Sequence, residues 1–94
     1  MNGLVVSESA LIIALLADWK QTLVIAHNPT LWHEYNKILG AHPSPEKVDE
    51  YFITVIAALV LILHFMPEKA AAELAAVLAA FEAVVVLRNY KIGL

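Results

Sequence analysis

Three apolar blocks divide the chain, and the polar punctuation between them carries helix signals. The first covers residues 4–26, is densest over 10–16, and is broken by Asp18-Trp19-Lys20-Gln21 before Thr22-Leu23-Val24-Ile25-Ala26 resumes it. The second, 51–66, holds ten Leu, Ile, Val or Phe residues and no Asp, Glu, Lys or Arg. The third, 70–87, is rich in alanine and carries Glu73 and Glu82 as its charges. Asn28-Pro29 reads as an N-cap with proline at the first helical position, and Gly40 stands where such a helix would stop. Ser44-Pro45-Glu46 repeats the start signal, and Pro67 breaks the second block from the third.

These signals predict helices at about 4–27, 45–66 and 68–89, with a short amphipathic helix at 29–39 whose Leu31, Tyr35, Ile38 and Leu39 share a face. From Pro45 to Met66 nothing breaks a helix, giving about 22 residues or ~33 Å at 1.5 Å per residue. A bilayer core of about 30 Å needs roughly 20 mostly apolar residues, and block two is apolar on all sides instead of along one stripe. The expected fold is all-α: a small integral membrane protein with three transmembrane helices in a single domain, 1–94. Helices two and three form an antiparallel hairpin, and the 29–39 helix lies in the interface. The competing reading is a soluble helical bundle with an unusually apolar core.

Composition moves the picture toward lipid. Of 94 residues 61% are hydrophobic and 16% charged, with a mean hydropathy of +0.71, against about 25% charged in soluble domains. That excludes a disordered tail, a nucleic-acid-binding arm and a multidomain enzyme. The net charge of −3 gives no general attraction to phosphate, and zero cysteines exclude disulfides and thiolate chemistry. No Lys or Arg precedes the first apolar run, unlike a cleaved secretory signal. Lys37, Lys47, Arg88 and Lys91 fall on the side shared by the 27–50 loop and the C-terminal tail, and Lys69 on the other. The positive-inside rule then predicts a multi-pass protein of the bacterial inner membrane, N-terminus outside and C-terminus cytoplasmic.

Candidate chemistry is sparse. Asp18, Gln21 and Thr22 share a helix face with Leu11, Ala14, Leu15 and Ile25, and polar groups at membrane depth face a bundle interior or a water-filled space. That face is either a pore-lining or ligand-contacting stripe, or an interhelical hydrogen-bond cluster that fixes packing. Lys20 points elsewhere. Glu73 and Glu82 are nine residues apart, about 180° around a helix, so they form no paired-carboxylate centre with each other; each caps an end or faces a neighbour. Ala72, Ala76, Ala80 and Ala83 form a small-residue packing stripe suited to close helix approach. His27, His33, Glu34 and His42 lack metal-ligand spacing such as HExxH. Trp19, Trp32, Tyr35, Tyr51 and Tyr90 suit an interfacial belt, and His64 is a lone interfacial histidine. Trp32, Glu34, Asn36 and His42 mark the interfacial loop. The residues propose no catalytic group, metal or cofactor. An embedded enzyme would require Asp18, Glu34 and His42 to converge, which no spacing here demands.

Asp18-Trp-Lys-Gln-Thr22, Glu34-x-Asn36, Ile38-Leu-Gly-x-His-Pro-Ser44 and Val48-x-x-Tyr-Phe52 together resemble a group of small uncharacterised bacterial and prophage membrane proteins. Their pattern is Asp…Gln-Thr…Glu-x-Asn…Leu-Gly…Pro, and the likeness covers just over a third of the chain without implying an activity. In size, span number and orientation the chain also resembles class I phage holins, which oligomerise in the inner membrane and open lesions. The C-terminal basic tail frequent in holins is here reduced to Arg88 and Lys91. The resemblance implies a self-associating, holin-like homo-oligomer that permeabilises or remodels the membrane. The alternative is an accessory or structural subunit of a larger membrane complex. Either way the partners expected are the lipid bilayer and other membrane helices, with no role for nucleic acid.

Overall fold

The computed structural model describes residues 3–27 and 44–94, all in or beside three helices: α1 (Gly3–His27), α2 (Pro45–Phe65) and α3 (Glu68–Lys91). Each is long and apolar enough to cross a membrane. At 25, 21 and 24 residues they measure about 38, 32 and 36 Å at 1.5 Å per residue. Their bounds lie within two residues of those expected. The expected interfacial helix at 29–39 lies outside the described residues.

Local chemistry sets the helix ends. The Ser44 hydroxyl accepts the Lys47 N–H at 3.2 Å, and Pro45 opens the helix at a position whose N–H no helical bond requires. Met66 and Pro67 are extended, so α2 stops and α3 starts within two residues. At the far end of α3, Gly93 takes φ 109°. Gly93 N–H meets Tyr90 O at 3.1 Å and Leu94 N–H meets Asn89 O at 3.0 Å. That pair of bonds is a Schellman motif, and it requires the positive φ that glycine adopts without steric cost.

Side-chain pairings fix the directions. Gly3 sits opposite Ala72 near the starts of α1 and α3, and Gln21 meets Val86 and Asn89 near their ends, so these two helices run parallel. Trp19, late in α1, meets Asp49 and Phe52, early in α2; α2 is the return stroke. The buried core is Leu11 and Leu15 of α1, Val48, Phe52 and Leu63 of α2, and Ala71 and Ala75 of α3. α1 contacts α3 over the greatest length, and α2 and α3 touch each other least. The expected hairpin is therefore antiparallel but loosely packed. α1 takes the place beside α3, because alanines on that face let the two backbones approach closely.

The alanines that pack are one position away from the expected stripe. Ala71 and Ala75 are fully buried, whereas Ala72 is half-buried and Ala76, Ala80 and Ala83 are exposed. Ala75, Glu82 and Asn89 follow one another at seven residues, and so do Leu11, Asp18 and Ile25. Two parallel helices with matching seven-residue seams pair position for position, which sets Asp18 level with Glu82. Most of the remaining surface is apolar: Ile13, Leu61, Phe65, Val77, Phe81 and Val84 all stand exposed.

Candidate functional site: a polar cluster between α1 and α3

Asp18, Gln21 and Thr22 do share a face of α1, and that face is turned onto α3. Gln21 is 7% exposed and Thr22 1%. The Gln21 amide uses both its ends: Nε2 donates to the Val86 carbonyl at 3.0 Å, and Oε1 accepts from Asn89 Nδ2 at 3.1 Å. Val86 offers that bond because a carbonyl has a second lone pair beyond its helical partner. The Thr22 hydroxyl lies 2.8 Å from the Asp18 carbonyl one turn back and 3.3 Å from Asp18 Oδ1, so its single proton serves α1 itself.

Glu82 completes the cluster. Its carboxyl neighbours the Asp18 carboxyl across the α1–α3 seam. Its Oε2 is buried with no hydrogen-bond partner among the described residues. From the sequence, Glu73 and Glu82 are each expected to cap an end or face a neighbour. Glu73 is exposed, and the half-buried Glu82 faces a neighbour, the Asp18 carboxyl of α1. The seven-residue spacing of Ala75, Glu82 and Asn89 was the signal available for this; the nine-residue comparison within α3 was blind to it.

A second group of contacts closes the same end of the bundle. Trp19 Nε1 donates to Asp49 Oδ1 at 2.9 Å, and its ring stacks on Phe52 with centroids 5.8 Å apart and planes 6° from parallel. Tyr51 meets Phe52 edge-on at 5.1 Å. Trp19 is thus a packing residue with a polar tip on a partner helix, not simply an interfacial aromatic. Lys20 is exposed. Trp32, Glu34, Asn36 and His42, with His33, lie outside the described residues.

Chemically, the Gln21 and Asn89 amides join the two helices, with the Thr22 hydroxyl and the two carboxyls packed beside them. Of the two readings open for Asp18, Gln21 and Thr22, this arrangement is the hydrogen-bond cluster. Among the described residues no group of His, Cys, Asp and Glu is placed to hold a metal ion. Comparison with family models, with curated proteins and with solved structures finds no match to this chain.

Proposed function

We propose that the chain is a multi-pass protein of the bacterial inner membrane that acts, without catalysis, through helix association in the bilayer. Its role in this reading is that of an accessory or structural subunit of a larger membrane complex. The observation that supports it best is the division of the surface. Polar groups of α1 and α3 are turned onto each other, while Val77, Phe81 and Val84 are 65–66% exposed. Hydrocarbon suits such a face, and the exposed Ala76, Ala80 and Ala83 beside it offer small side chains against which another helix can approach. Self-association of holin type is the second reading, favoured by the neighbouring Asp18 and Glu82 carboxyls. Separation of α1 from α3 in an oligomer would present two carboxyls, an amide pair and a hydroxyl to water.

The test is induced expression of a tagged chain, with membrane potential recorded and the membranes then extracted in mild detergent. The subunit reading expects an intact potential and one stoichiometric partner protein. A collapsed potential with homo-oligomers only would overturn it in favour of the second. Release of the chain into plain buffer as a monodisperse species would overturn both.

A further inference from the structure

At the end of the bundle where α1 starts and α2 turns into α3, the helices leave a cavity of about 570 Å³. Sites for small amphiphiles fall in this size range, about 300–1,000 Å³. Leu4 and Glu8 of α1 line it, one turn apart, with Leu61 and His64 of α2 and with Glu68, which opens α3; the buried Leu63 lies among them. The lining therefore holds two carboxylates and no Lys or Arg. Among the described residues no hydrogen bond or ion pair engages the Glu8 or Glu68 side chain, and no three groups are placed to hold a metal ion. An acidic rim over an apolar wall suits an organic cation with a hydrocarbon part.

Depth and shape narrow the ligand. Glu8 stands five residues into α1, about 8 Å along the axis, and His64 is one residue from the end of α2. A hydrocarbon core of about 30 Å centred on helices of this length puts the cavity at the boundary between hydrocarbon and headgroups. Toward the bilayer centre the exposed face of α2 continues from Leu61 through Ala57 to Ile53, an apolar track about 12 Å long. A phosphatidylethanolamine meets both features. Its primary ammonium carries three N–H donors, for two carboxylates and the acceptor nitrogen of a neutral imidazole. Phosphatidylglycerol has no ammonium, and its negative head is repelled by the same carboxylates.

We propose that this cavity binds one phosphatidylethanolamine, its ammonium held between Glu8 and Glu68 and one acyl chain laid along Leu61, Ala57 and Ile53. The inference rests on insertion in the bilayer and not on the subunit or holin-like role, and it uses a different surface from Val77, Phe81 and Val84 of α3.

Native mass spectrometry of the full chain, stripped of lipid in mild detergent and given equimolar phosphatidylethanolamine and phosphatidylglycerol, counts the lipid held. The expected result is one bound lipid, with the ethanolamine form favoured roughly fivefold, the scale of exposed charge pairing. Glu8→Gln with Glu68→Gln should bring the ratio near one. Glu46→Gln with Glu50→Gln removes the same charge from the opposite end and should leave the ratio unchanged. Glycerophosphoethanolamine, the same head without chains, should not displace the lipid at equal concentration. A wild-type ratio of one, a preference that survives in the Glu8 and Glu68 double variant, an equal loss in the Glu46 and Glu50 variant, or displacement by the chain-free head would each overturn the proposal. Flotation with vesicles reads insertion separately, and a wild-type chain that does not float overturns the premise and the proposal together. Should the double variant fail to insert, Glu68→Gln alone, at an exposed helix start, should lower the ratio at least about twofold; an unchanged ratio would count against the site.

Discussion

Gln21 is the side chain whose loss should be felt most directly, because its amide both gives to the α3 backbone and takes from Asn89. Interhelical polar contacts inside membranes average about 0.6 kcal/mol and reach about 1.7. Gln21→Leu removes two of them at once and strands Asn89, whereas Asn89→Leu strands only one lone pair of Gln21. A double-mutant cycle read by α1–α3 association in micelles should therefore give a coupling energy in that range, with Gln21→Leu the costlier single change. Coupling indistinguishable from zero would mean the two amides do not bond. Thr22→Val makes a useful contrast. Its hydroxyl turns back on α1, so the substitution should weaken α1–α3 pairing by less than Gln21→Leu although Thr22 is the more deeply buried residue.

Among the elements, α3 is the one whose two faces can be tested apart. Ala75 is fully buried against α1, and Ala76 is exposed. Ala75→Leu forces a larger side chain into that seam and should destabilise the bundle by about 1–3 kcal/mol. Ala76→Leu should leave stability within about 0.5 kcal/mol yet weaken association with a partner helix. Denaturation midpoints in micelles, compared with co-purification yield, separate the two; equal loss of stability from both would refute the assignment of faces. At the helix ends, Ser44→Ala should cost about 1 kcal/mol through the lost N-cap, read from the same denaturation curves. The sequence showed helix existence and ends well, because Ser44-Pro45, Pro67 and unbroken apolar runs act locally. Asp18, Gln21 and Thr22 were also legible as one face, since 3.6-residue periodicity is local too. What it could not show was the partner of that face. Whether Glu82 faces lipid, solvent or Asp18 depends on α1 lying parallel to α3, a pairing between segments more than sixty residues apart. The alanine stripe failed for a related reason: in an alanine-rich helix nearly every face offers small residues, and only the neighbour's register picks Ala71 and Ala75.

At the scale of the whole molecule, the up-down-up course gathers charge at one end. With α1 and α3 parallel and α2 reversed, Lys20, Lys47, Arg88 and Lys91 fall at the end where α1 and α3 finish and α2 begins, and Lys69 alone among the described Lys and Arg residues lies at the other. The asymmetry is a product of the fold as much as of the sequence, since it needs three passes to bring the two helix ends and the start of α2 to one side. Positive residues within about 15–20 residues of the span ends are those that govern orientation, and acidic ones contribute little. The multi-lysine end should therefore lie in the cytoplasm, and the α2–α3 turn and the start of α1 outside. Single cysteines introduced as Glu68→Cys and Leu94→Cys in the cysteine-free chain test this with a membrane-impermeant thiol reagent on intact cells. Glu68→Cys should be labelled from outside and Leu94→Cys only after the membrane is opened. The reverse pattern would invert the topology, and labelling of both sites on intact cells would mean that α3 does not cross.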